Sequence, residues 1–223
     1  MFFRRSTYTP TLRDIRFHRD DWRLEERTAD SALWMTPDGD ASKLQLTFRV
    51  GVWPFDLRDE AAAHAFYARE CEALSGAMIE LSVRRIRGFE SLVGVFKYRS
   101  PAPGHLGMYY VGIVWLPFET CTFQINFESL ERGTTGAREA AVALIERVPP
   151  PQEEPELLTS MEAFFERARN AKVQALPSDA RTYDDAFPEH PLSKVRRMLT
   201  QFETEAVFDR RMSTLKPYRV GGR

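Results

Sequence analysis

Cysteine is scarce in this chain. Only Cys71 and Cys121 occur among 223 residues, one inside a helical pattern and one at the start of a strand pattern, too few for the disulfide framework of a small secreted domain. Both read as buried free thiols, the usual state of free cysteine, and Cys121 has only Thr and Phe as sequence neighbours, neither of which would stabilise a thiolate. Long apolar runs are missing too. No segment reaches the length of a membrane span, and the first ten residues, MFFRRSTYTP, hold no apolar stretch of signal-peptide length after the arginines. The expectation is a cytosolic, reducing location and no membrane span. An excess of one charge is absent as well: 31 Lys and Arg oppose 32 Asp and Glu, for a formal net charge of -1. The field of the whole molecule therefore favours neither a nucleic-acid backbone nor an anionic membrane. The chain also lacks P-loop, GxGxxG, GxSxG, HExxH and CxxC motifs. His18, His64, His105 and His190 lie far apart, so no pair has metal-ligand spacing, and neither cofactor nor metal is expected.

What is present is a strand-rich core. Hydrophobic residues make up 43% of the chain, enough to fill one. Residues 91–98 (SLVGVFKY), 109–116 (YYVGIVWL) and 121–127 (CTFQINF) are rich in β-branched and aromatic residues, and short Pro- or Gly-bearing separators suit antiparallel returns. Before them, residues 22–28 (WRLEERT), 31–35 (SALWM) and 43–50 (KLQLTFRV) read as strands, the last with Leu44, Leu46, Phe48 and Val50 on one face. A helix runs from an Asp56 or Asp59 cap to about Ser75, with Gly76 as its stop, and residues 78–86 alternate again. A second helix follows Thr134 or Thr135, its apolar stripe formed by Ala137, Ala141, Leu144, Ile145 and Val148. Val95, Ile113, Ile125 and Leu144 are expected in the core.

The proline run 149–151 and the acidic residues after it form the clearest boundary. Three units are expected: a loosely held arm (1–21), an α+β domain with an antiparallel β-sheet flanked by helices (22–148), and a Pro-rich linker with a helical extension (149–223). In that extension Leu157, Leu158, Met161, Phe164, Phe165 and Ala168 mark one amphipathic helix. A narrower seam of Leu192, Val195, Leu199 and Phe202 marks another. If the first helix docks on the body, the second leaves its seam partly open beside Arg196 and Arg197, as in helix-in-groove recognition or self-association. A helical hairpin folded on the domain is the alternative.

Candidate functional positions are few. Thr122, Gln124, Asn126 and Glu128 alternate with apolar residues on the last strand of the run, where the amides suit a peptide or polar ligand, or simply face water. Trp53 and Phe55, flanking Pro54, form either a binding edge or a plug over the core. Glu119, Glu128 and Glu131 lie near the ends of that same strand, where two acids in opposition would support acid/base chemistry. His190, just before Pro191, reads as helix-start structure. Basic residues gather after Pro191, and the acids before them, Asp184 and Glu189 among others, are expected to pair with them in preference to nucleic acid.

The order of elements resembles the Mog1/PsbP-like α/β/α sandwich superfamily. The likeness rests on the strand KLQLTFRV before the first helix, the series SLVGVFKY, YYVGIVWL and CTFQINF after it, and the helix TGAREAAVALIERV closing the domain, over residues 22–148. It implies a fold whose members include photosystem accessory proteins, a nuclear-transport factor and bacterial chaperones of secreted effectors, most acting by binding proteins. The expected function is a non-enzymatic protein-binding module of bacterial type, namely an effector chaperone, adaptor or toxin-neutralising immunity protein, with an operon-encoded partner. Two alternatives remain: an enzyme with a site assembled from scattered carboxylates and histidine, and a small-molecule or lipid binder with a cavity between sheet and helix.

Overall fold

The computed structural model describes residues 8–19, 21–48, 53–101, 105–133, 135–147 and 160–220. In chain order its strands are β1 (Ile15–Arg16), β2 (Arg23–Arg27), β3 (Ser31–Met35), β4 (Ala41–Thr47), β5 (Ala77–Ile86), β6 (Phe89–Arg99), β7 (Met108–Pro117), β8 (Thr122–Leu130) and β9 (Val207–Phe208). The helices are α1 (Glu60–Ala73), α2 (Ala137–Ile145), α3 (Met161–Asn170) and α4 (Pro191–Glu205). The fold is α+β. Seven strands form one antiparallel sheet in the order β2-β3-β4-β8-β7-β6-β5, and β1 pairs with β9 in a small second sheet.

Alternation in the strands decides which side chains meet which helix. Leu44 of β4, Ile125 of β8 and Val114 of β7 lie in register, as do Leu46, Phe123 and Leu116, and all six are at most 3% exposed. They pack with Leu192, Val195, Leu199 and Phe202 of α4 in one apolar cluster. On the opposite face Leu81, Leu92, Phe96 and Trp115 pack with Ala63 and Cys71 of α1. Both cysteines are buried free thiols.

The seam on α4 is therefore closed. Leu192, Val195, Leu199 and Phe202, read from sequence either as a seam partly open for a partner helix or as part of a hairpin folded on the domain, are at most 2% exposed, and Arg196 beside them is 4% exposed. Arg197 alone of that set points to solvent, donating to the Pro188 carbonyl at 3.1 Å. The cause is the apolar sheet face beneath the helix, which Leu12, Ile15 and Met212 help to cover: burying four such side chains is worth on the order of 6–12 kcal/mol gross, comparable to the net stability of a whole domain. Gly112 lets the helix come close. A Cβ there would sit 2.7 Å from Leu199 Cδ1 and Val195 Cγ1.

Other expectations change in detail. The sheet is covered by α4 where the second helix was expected to contribute: Leu144 and Ile145 of α2 are 81% and 65% exposed, while Arg138 and Val142 are buried. Residues 8–19 are held by the body, because Leu12 and Ile15 are 6% and 2% exposed and β1 pairs with β9. Asp59 caps α1, accepting from the Ala62 N–H at 3.0 Å, but the left-handed residue at its end is Ser75 (φ 53°). Gly76 serves packing instead, since a Cβ there would lie 2.3 Å from the Tyr98 ring. Val50, Val148, Leu157, Leu158 and the proline run fall outside the described residues, as do the side chains of Phe164, Phe165 and Ala168.

These burials separate three substitutions. Ile125→Ala is expected to cost about 2–5 kcal/mol, because Ile125 is fully buried between β4 and β7. Ile113→Ala should cost less, since Ile113 is only partly buried, and Leu144→Ala should stay within about 0.5 kcal/mol. Urea midpoints of the three variants check the order, and equal shifts would contradict it.

Candidate functional site

The α1 side of the sheet is only partly roofed. Lys43, Gln45 and Thr47 of β4 and Thr122, Gln124, Asn126 and Glu128 of β8 project to that side and are half-exposed. Their order is set by the antiparallel register, which places Gln45 opposite Gln124, Lys43 opposite Asn126, and Trp115 of β7 opposite Gln124 from the other flank.

A one-way hydrogen-bond chain runs along this strip. Trp115 Nε1 donates to Gln124 Oε1 at 2.9 Å, Gln124 Nε2 donates to Asn126 Oδ1 at 2.9 Å, and Asn126 Nδ2 donates to Glu128 Oε1 at 3.1 Å. Tyr109 OH donates to the other Glu128 oxygen. An indole can only donate and an ionised carboxylate can only accept, so the two ends dictate which way each amide points. Each amide keeps a second N–H that the chain does not use.

Beside Gln124 the strip runs into a cleft of about 440 Å³ between α1 and the sheet. Aromatic rings dominate its wall, with Trp53, Phe66, Tyr67, Phe96, Tyr98 and Trp115 joined by Thr47, Thr122 and Gln124. The rings brace one another. Tyr67 lies 4.9 Å from Trp115 and 5.7 Å from Phe96 between centroids, and Trp53 Nε1 donates to Tyr67 OH at 2.8 Å. Burial pushes the Tyr67, Tyr98 and Cys71 pKa values up, so these groups stay neutral in the physiological range.

Four of the sequence candidates thus come together. Gln124 and Trp53 line the cleft, Asn126 is bonded to Gln124, and Phe55 stacks on Trp53 at 5.5 Å with rings 16° apart. Trp53 and Phe55 are 7% and 5% exposed, and Tyr218 OH donates to the Trp53 carbonyl at 2.7 Å, which makes the pair a plug over the core with one edge on the cleft. Leu192, Val195, Leu199 and Phe202 belong to the core on the other face, and Arg196 and Arg197 lie on that same helix. Trp115, Tyr67 and Tyr109 were not singled out by sequence. Only strand register, which places Trp115 across from Gln124, would have marked Trp115.

A second polar region lies on the α4 side. Lys97, Arg138, Asp179 and Arg196 are 5% exposed or less. Lys97 Nζ meets Asp179 Oδ2 at 2.5 Å, and Arg138 donates to the Ser178 carbonyl (2.7 Å), Ser193 Oγ (2.8 Å), the Ala180 carbonyl (3.0 Å) and Asp184 (3.0 Å). Arg196 bonds Asp184 at 2.9 Å and also meets Glu80, and Lys194 lies 3.7 Å from Glu189, so acids and bases near α4 pair within the chain. His190 starts α4 as read from sequence, its Nδ1 accepting from the Leu192 N–H at 3.2 Å. It also reaches two acids, with Nε2 at 3.9 Å from Glu131 Oε1 and 4.0 Å from Glu139 Oε1. Burial, then the Arg138 charge, pushes the imidazole pKa down to about 4, while burial raises that of Glu139. Of the acids flanking β8, Glu131 joins this group, Glu128 ends the amide chain and Glu119 pairs with Lys216 at 3.3 Å.

No family model and no curated protein matches the chain. A crystal structure from Bacteroides thetaiotaomicron is similar at 14% identity with a TM-score of 0.36, over 60% of this chain and 44% of that one. The chain spans less than half the length of that protein, and similarity at this level bears on neither function nor site. Among the described residues no helix is long and apolar enough to cross a membrane.

Proposed function

We propose that the protein is a non-enzymatic, cytoplasmic protein-binding module of bacterial type, a chaperone, adaptor or immunity protein on a Mog1/PsbP-like sandwich. The observation that carries this reading is the oriented amide chain ending at an aromatic cleft. A partner segment lying along β8 would place an apolar side chain in the cleft while its carbonyls accept the spare N–H groups of Gln124 and Asn126. One buried side chain is worth about 1.5–3 kcal/mol and each hydrogen bond about 0.5–1.5 kcal/mol net. That falls short of the roughly 8 kcal/mol of a micromolar complex. The partner therefore also covers the half-exposed β4 residues Lys43 and Gln45.

A small-molecule occupant fits the volume and the aromatic lining of the same cleft. An enzyme reading draws support from the other region, where Glu131, Glu139 and His190 converge. A tagged chain isolated from its native host separates the readings. A stoichiometric protein partner supports the proposal, whereas the lone chain, or the chain with only a small molecule bound, contradicts it.

A further inference from the structure

Two buried side-chain atoms on the α4 side, Glu139 Oε2 and His190 Nε2, have no hydrogen-bond partner among the described residues. They belong to one cluster. Glu131, Glu139 and His190 each offer a ligand atom within 4.8 Å of the others, and the Glu131 and His190 side chains are only 7% and 8% exposed. We propose that these three residues bind a divalent transition cation, with zinc the best match to a donor set of two carboxylates and an imidazole.

The donors come from three elements brought together by the fold: Glu131 just after β8, Glu139 in the first turn of α2, and His190 at the start of α4. The two carboxylates are held from behind. Glu131 Oε1 accepts from the Gly136 N–H at 2.8 Å and Oε2 from the Met108 N–H at 2.9 Å, while Tyr110 OH donates to Glu139 Oε1 at 3.4 Å. Such outer bonds keep ligands pointed inward, as metal sites require.

The separations suit a metal after a small contraction. Ligand atoms about 2.0–2.2 Å from a tetrahedral zinc lie about 3.4 Å apart, and His190 Nε2 stands 3.9 and 4.0 Å from the two carboxylates. Charge argues the same way. Two carboxylates lie side by side, and the nearby cations Lys97 and Arg138 are committed to Asp179 and Asp184. A dication in the middle would neutralise both acids. It would also draw the lone pair of Nε2, moving the ring proton to Nδ1 at the expense of the Leu192 hydrogen bond. Glu131 and His190 line an open cleft of about 650 Å³, so a fourth coordination position would face a space that admits solvent or a small ligand.

The test uses the full chain, stripped of metal with a chelator and titrated with zinc by calorimetry and thermal melting. The expected result is one zinc per chain with a raised melting temperature, and an affinity at least about tenfold weaker in Glu139→Gln and in His190→Asn. Asparagine is a good helix cap, so the second variant removes the imidazole and keeps the start of α4. The proposal is overturned by a wild-type chain that shows no zinc-dependent heat or melting shift up to millimolar metal. Binding that persists unchanged in both variants overturns it equally, since the metal would then sit elsewhere.

Discussion

Asp179→Ala is expected to lower stability by about 3–5 kcal/mol, the cost of leaving the buried Lys97 ammonium without its partner. The Lys97 and Asp179 side chains are 2% and 5% exposed and meet at 2.5 Å. Water cannot take over the role of the lost carboxylate at such a site. Asp179 Oδ2 also accepts from the Leu176 N–H at 2.8 Å, which adds one backbone bond to the loss. A charge-free pair, Lys97→Met with Asp179→Leu, should recover much of the difference, because both desolvation penalties vanish together. Chemical denaturation of the single and double variants checks this. A double variant as unstable as the single would show that the pair is not the cause.

Removing α4 should abolish folding. Its four seam residues close the sheet face formed by β4, β7 and β8, so a chain ending at residue 159 would expose Leu44, Val114, Phe123 and Ile125 to water. The loss is on the order of the whole net stability of a domain. The milder Phe202→Ala is expected to cost about 3–5 kcal/mol, since its ring is 2% exposed and touches Phe17, Phe127 and Phe208 at 5.5–6.2 Å between centroids. Circular dichroism with urea titration decides. A cooperative transition at an unchanged midpoint in the truncated chain would refute the role given to α4.

The strands were legible because period-two alternation survives wherever one face is buried. Residues 122–128 show it clearly, with Phe123, Ile125 and Phe127 at 3% exposure or less between half-exposed polar neighbours. Helix cover was not legible. The apolar stripes on α2 and α4 both call for burial, and nothing local says that the later helix takes the sheet while Leu144 stays exposed. The clusters were hidden for a similar reason. Glu131 and His190 are 59 positions apart, and the first becomes visible as a neighbour of the second only when α4 docks. Gln124 and Asn126 were singled out from alternation alone, but the direction of their hydrogen bonds depends on Trp115, supplied by strand pairing.

The cleft and its amide chain are the centre of the functional account, and paired capture tests them most directly. The wild-type chain and a Gln124→Ala/Asn126→Ala variant, shown by circular dichroism and urea midpoint to keep the fold, would be used side by side on lysate of the native host. The account predicts a stoichiometric protein bound by the wild type, with affinity for the variant reduced about five- to 150-fold, as loss of two net hydrogen bonds implies. A partner held equally well by both chains would place the binding surface elsewhere and contradict the account.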